Sequence, residues 1–151
     1  MKPKHFLPVL LILIVIPAYL FRINLLPANV TGDEITYLGD VYRIIYSPQT
    51  VNPLTLMGDG SQPATNFYWM AFWIQNVGLQ NSILGMRLST AILSIFGIIA
   101  FYYLLSRRIP PFLSFFTSLL LATSVWYMNF ERSGWFNLGA VLWGLLMVFY
   151  I

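Results

Sequence analysis

Four apolar runs divide the chain. The first, Phe6 to Leu26 (FLPVLLILIVIPAYLFRINLL), is interrupted only by Arg22 and Asn24 and follows Lys2 and Lys4. Its length matches the roughly 20 residues that a membrane-spanning helix needs. Pro17 should kink it, and Arg22 can reach lipid head groups from its far end. A cleaved secretory leader has the same basic start and apolar middle, but no small-x-small cleavage pattern precedes the next polar stretch. Ile83 to Leu105 is the second run, with Arg87 near its start and Arg107 and Arg108 closing it. Phe112 to Phe130 is the third and carries no formal charge. Trp135 to Ile151 is still apolar where the sequence stops, so it is read as an incomplete span of a longer parent chain.

Residues 27 to 82 separate the first two runs and are polar, with many prolines and glycines. Ile35, Leu38, Tyr42 and Ile45 recur at helical spacing, which predicts an amphipathic helix over residues 34 to 46. Thr31 and Glu34 stand at capping-box spacing before it, and Asp33 is the alternative N-cap. The following SPQTVNPLTLMGDGSQP reads as an irregular loop, with turn signals at Ser47-Pro48, Asn52-Pro53 and Gly58 to Gly60. Phe67 to Val77 (FYWMAFWIQNV) is aromatic and apolar but too short for a clean span, so an interfacial helix is expected there. The fold expected is all-α and polytopic.

Composition sharpens this picture. The chain is 58% hydrophobic and 9% charged, with a mean hydropathy of +0.73, far too apolar for an ordinary soluble core. Its net charge of +3 is spread over scattered basic residues, which argues against a nucleic-acid partner. With no cysteine there is no disulfide, thiolate catalysis or thiolate-bound metal. The positive-inside rule places Lys2, Lys4 and the Arg107-Arg108 turn in the cytoplasm. An even number of crossings must then separate them, which leaves residues 67 to 77 at the outer interface. Asp33, Glu34, Glu131 and Arg132 thereby share the extracytoplasmic side.

Those four residues are the first candidates for chemistry. Asp33 and Glu34 can simply cap a helix, or one can act as a general base while the other anchors substrate. Adjacent carboxylates repel, so they should point apart. Asp40 and Tyr37 could line the same helical face as Asp33. Glu131 and Arg132 can neutralise each other, or Arg132 can grip a phosphate through its planar fork. Arg87 and Arg22 are further candidates for lipid phosphate. His5 sits beside the N-terminal lysines and reads as an interface residue. Without a second His or any Cys, a metal site would need carboxylates such as Asp33, Asp40 and Glu131, so metal use stays open. No phosphate loop, dinucleotide fingerprint or zinc-hydrolase helix is present, and no nucleotide cofactor is expected. Gly97, Gly139 and Gly144 suit close helix contacts in a bilayer.

The order of landmarks is more specific than any one of them. Phe21-Arg22-Ile23 ends the first run, Gly32-Asp33-Glu34 and Tyr37 follow, and Gln62-Pro63 leads into Phe67-Tyr68-Trp69. Met86-Arg87-Leu88-Ser89 opens the next run, Arg107-Arg108 closes it, and Phe130-Glu131-Arg132-Ser133-Gly134 follows the third. This order resembles the N-terminal part of the GT-C glycosyltransferases, in particular the protein O-mannosyltransferases and lipid A aminoarabinose transferases. Family members often have two prolines where only Pro63 stands here. The resemblance implies a multi-pass protein of the plasma (inner) membrane with a cytoplasmic N-terminus. It implies transfer of a sugar from a polyprenyl-phosphate donor to an extracytoplasmic protein, lipid or glycan acceptor, with inversion. Asp33 would be the base, Glu34 its support or an acceptor contact, and Arg132 a donor-phosphate contact, with Glu131 less firmly matched. Members differ in their use of a divalent metal. Two other classes fit the hydropathy: a small transporter or channel subunit, and a structural membrane module.

Overall fold

The computed structural model describes residues 3–25, 28–51, 56–57, 62–77, 82–134 and 139–150. Lys2, the Asn52-Pro53 and Gly58 to Gly60 turn signals, and the Trp135 and Ile151 ends of the last run lie outside these residues, as do the side chains of Lys4 and His5. The fold is all-α apart from a two-residue antiparallel pairing between β1 (Leu56–Met57) and β2 (Gln62–Pro63). Its helices are α1 (Pro3–Leu20), α2 (Gly32–Tyr46), α3 (Ala64–Asn76), α4 (Ser82–Leu105), α5 (Pro111–Thr123), α6 (Val125–Arg132) and α7 (Gly139–Tyr150), with a single 3-10 turn at Pro48–Thr50.

Helix α1 stops short of the apolar run that encodes it. Arg22 takes a left-handed conformation, with φ of 48°, and the Phe21 and Ile23 amides close the last turn onto the Pro17 and Leu20 carbonyls. The carbonyls beyond that point no longer have helical partners. The N-cap of helix α2 is Thr31, not Asp33. The Thr31 hydroxyl accepts from the Glu34 amide at 3.2 Å and the Glu34 carboxylate accepts from the Thr31 amide at 2.8 Å, a complete capping box.

The buried face of α2 is Glu34, Tyr37, Val41 and Ile44. It is offset by one position from the Ile35, Leu38, Tyr42 and Ile45 seam read from the sequence, and Ile35 is left exposed. The offset turns Glu34 inward, so its polar contacts set the helix rotation where apolar periodicity alone allowed two neighbouring faces. Tyr37, Val41 and Ile44 pack with Phe67, Met70, Ala71 and Ile74 of α3. Helix α3 runs antiparallel along the first half of α4. The Trp69 indole donates to the Ser89 carbonyl at 2.9 Å, and five residues later Ile74 lies against Gly85, where a Cβ would meet its Cα at 2.8 Å.

Helix α4 is the centre of the bundle, in contact with α1, α3, α5, α6 and α7. Leu11, Val15 and Tyr19 of α1 share a core with Ile95, Ile98 and Tyr102 of α4, Phe115 and Ala122 of α5, and Tyr127 of α6. The third apolar run is not one helix. It breaks at Ser124, whose hydroxyl caps α6 by accepting from the Tyr127 amide, and α5 and α6 meet at 61°. A serine side chain offers the backbone an alternative to helix continuation, which accounts for a break at this polar position.

Only α4 is long and apolar enough by itself to cross a membrane among the described helices; α5 and α6 meet the same criterion together as a bent pair. Large apolar side chains stay exposed along the bundle exterior, including Leu13 (65%), Leu120 (71%) and Val125 (84%). That exterior is consistent with association with a membrane.

Candidate functional site

The ends of α1 and α6 and the starts of α2 and α4 meet around Glu34. This side chain is fully buried, and only a side chain whose lone pairs are well used is tolerable there as an ion. The Arg87 Nε donates to its Oε1 at 3.0 Å, the Gly134 amide donates to the same oxygen at 2.9 Å, and the Thr31 amide takes Oε2. Burial by itself would raise the pKa of Glu34. The Arg87 guanidinium and the Gly134 and Thr31 amides outweigh it and hold the carboxyl below its ordinary value.

Arg87 is equally enclosed. Beyond Glu34, its Nη1 donates to the Ile23 carbonyl at 3.3 Å and its Nη2 to the Asn29 carbonyl at 3.4 Å. Arg132 reaches the same helix end from α6, with Nη2 donating to the Phe21 carbonyl. Two arginines from different helices thus satisfy carbonyls that the left-handed turn at Arg22 released, as basic groups favourably do at a helix C-terminus. Thr90 completes the join by donating to the Ser133 carbonyl at 2.9 Å.

The adjacent carboxylates diverge: Asp33 is exposed on the first turn of α2, while Glu34 points into the core. Tyr37 lies under α2, its ring edge-on to Phe67 with centroids 5.6 Å apart. Asp40 is half-buried and pairs with Arg43 at 3.5 Å within α2. Glu131 is fully buried beside the Tyr127 hydroxyl. Neither of its oxygens receives a hydrogen bond of good geometry among the described residues, and Arg132 Nε is likewise without an acceptor. Arg22 is exposed, with its guanidinium 5.5 Å from the Phe21 ring centroid.

Glu34, Arg87 and Arg132 therefore belong to one cluster with Asp33 at its rim, Glu131 borders it on the α6 side, and Asp40 stands apart. Sequence reasoning missed the pairing of Glu34 with Arg87 and the part played by Gly134 and Thr90. A lone arginine opening an otherwise uncharged helix was the available signal, because such a charge needs an acid from elsewhere in the fold. No group of three His, Cys, Asp or Glu side chains gathers among the described residues.

Comparison with protein-family models, with curated proteins and with solved structures finds no match to this chain.

Proposed function

We propose that the protein is a multi-pass membrane glycosyltransferase of the GT-C type, moving a sugar from a polyprenyl-phosphate donor to an extracytoplasmic acceptor. The observation that carries this reading is the divergence of Asp33 from Glu34. One carboxylate is locked by Arg87, Thr31 and Gly134, so the helix turn that carries the other is held rigidly, and Asp33 is exposed on that turn on the side from which an acceptor hydroxyl would arrive.

The arrangement of helix ends supports the topology. Arg87 opens α4 and bonds to Ile23 just past the end of α1, so these helices run in opposite directions. Arg107 and Arg108 lie at the other end of α4, and the tight turn they occupy leads into α5. One end of the bundle is thus basic and exposed, the other holds Asp33, Glu34, Glu131 and Arg132. With the basic end in the cytoplasm, the N-terminus is inside and the acidic cluster faces outward. An apolar cleft of about 320 Å³ between α1 and α4, ending at Leu20 near that cluster, matches the hydrocarbon part of a lipid-linked donor.

In the proposed reaction the acceptor oxygen attacks the anomeric carbon as Asp33 takes its proton. The bond from that carbon to the phosphate oxygen breaks, its electron pair leaves with the polyprenyl phosphate, and configuration inverts. Arg132, whose guanidinium already reaches the Phe21 carbonyl at the same helix end, is assigned to the departing phosphate. Glu34 and Arg87 serve as positioning residues. The test is sugar release from polyprenyl-phosphate donors by membranes carrying the full gene product. Asp33→Asn at equal expression should cost about 10²- to 10⁴-fold in turnover, the usual worth of a general base. Turnover equal to the parent protein would defeat the assignment.

A further inference from the structure

The basic end of the bundle holds a feature that the proposed reaction does not use. A cavity of about 470 Å³ opens between α4 and α7, walled by Phe101 and Leu104 of α4 and by Leu145 and Val148 of α7, with Arg107 and Arg108 lining it where α4 ends. Both arginines are exposed. Basic residues at this position often serve the helix end itself. Here the backbone closes that end: the Arg107 amide donates to the Leu104 carbonyl at 3.3 Å, and the Arg108 and Ile109 amides donate to the Leu105 carbonyl at 2.8 and 2.9 Å. No Asp or Glu occurs between residues 60 and 130 or beyond Glu131, so α4, the turn after it and α7 bring no acidic side chain to the cavity against two guanidinium charges.

An occupant must therefore be apolar along the helix walls and anionic at one end. Guanidinium groups match phosphate oxygens bidentately, and basic pockets between membrane helices on the cytoplasmic side take anionic lipid head groups. We propose that this cavity binds one anionic phospholipid from the leaflet at this end of the bundle, with its phosphate on Arg107 and Arg108 and part of an acyl chain between α4 and α7. Free phosphate would leave the apolar walls uncovered, and a zwitterionic lipid would bring its own cation to the arginines. The inference rests on the membrane placement proposed above and on none of the transferase chemistry.

The test is native mass spectrometry of the purified full-length protein, released from detergent micelles supplied with dioleoylphosphatidylglycerol, dioleoylphosphatidylcholine or inorganic phosphate. One phosphatidylglycerol should be retained, in preference to phosphatidylcholine by about fivefold for each arginine and roughly 25-fold in all. Arg107→Gln/Arg108→Gln should bring the two lipids level. Because loss of these charges can also invert the chain in the membrane, Leu145→Trp supplies a second arm. It keeps both arginines, fills the cavity and should lose the retained lipid. If one variant fails to assemble, the other and the preference of the parent protein still decide. Equal retention of the two lipids by the parent, displacement of the lipid by an equal concentration of inorganic phosphate, or undiminished retention by Leu145→Trp would overturn the site; the last result would mean that another helix or a second copy fills the cavity. No sugar donor enters this assay, so its failure is distinct from failure of the transferase reading.

Discussion

Replacing Glu34 with Gln removes the charge from the centre of the cluster and preserves its shape. Arg87 would then be a buried cation without its carboxylate, still donating to the Ile23 and Asn29 carbonyls at 3.3 and 3.4 Å. Breaking a buried pair from one side typically costs about 3–5 kcal/mol. The surviving carbonyl contacts and the one oxygen retained by Gln argue for the lower half of that range. At roughly 2–4 °C per kcal/mol for a chain of this size, the unfolding temperature should fall by about 6–15 °C. Differential scanning fluorimetry of the detergent-solubilised protein, followed by tryptophan emission, is a suitable assay. The double variant Glu34→Gln/Arg87→Met removes both charges and should be no less stable than Glu34→Gln, giving a coupling of about 2–3 kcal/mol. A single variant that unfolds at the parent temperature, or strictly additive effects in the double, would show that the pair does not hold the helix ends together.

The same carboxyl sets a pH dependence. Its folded-state pKa is lowered, so its contribution to stability is complete above the unfolded value of about 4.3 and is lost as pH falls through the folded value. Acid titration of the unfolding temperature should therefore steepen below about pH 4 in the parent, and this component should be missing from Glu34→Gln. Gly85→Ala should cost more than Gly134→Ala when both are measured by thermal unfolding. The new Cβ at position 85 meets the Ile74 backbone at 2.8 Å, whereas at position 134 it meets the Met86 side chain, with 2.5 Å to its terminal methyl. Met86→Ala should then rescue much of the Gly134→Ala loss, of about 1–3 kcal/mol, and rescue nothing at Gly85. Because these 151 residues contain no cysteine, an introduced one is the only thiol among them. Ile35→Cys should react with a membrane-impermeant maleimide added outside intact cells and Arg108→Cys should not; the reverse pattern would invert the proposed orientation.

Local pattern made some features of this fold legible and left others invisible. Unbroken apolar stretches were enough to place α4 and the beginnings of α1 and α5, since a long apolar run favours a helix. The Thr31 capping box could be read because both of its partners lie within four residues. The end of α1 could not. Apolar side chains continue to Leu26, and only the left-handed turn at Arg22, which depends on what receives the freed carbonyls, stops the helix at Leu20. The break at Ser124 was hidden in the same way, because hydropathy does not register a hydroxyl that caps. Glu34 and Arg87 are 53 residues apart, and no local spacing connects them. Their pairing also rotated α2 away from its apolar seam, so the most consequential contact of the site was the one furthest from anything periodic.

Helix termination and site assembly are one event in this fold. In a low-dielectric surrounding, the carbonyls past Leu20 and the buried Glu34 are each costly when isolated. Arg87 answers both at once, with Nε on the acid and Nη1 on Ile23, while Arg132 closes Phe21. Each arginine comes from a different helix, so the end of α1 cannot be satisfied until α4 and α6 are in place. The first turn of α2 is then fixed through Glu34 to the same three elements. Asp33, exposed on that turn, gains a defined position from its buried neighbour. A positive charge at Arg87 is not interchangeable with Lys for this purpose, since a single ammonium cannot present separate donors along a planar fork to an acid and two carbonyls. Arg87→Lys should accordingly lose most of the stability lost in Arg87→Met, although it keeps the charge.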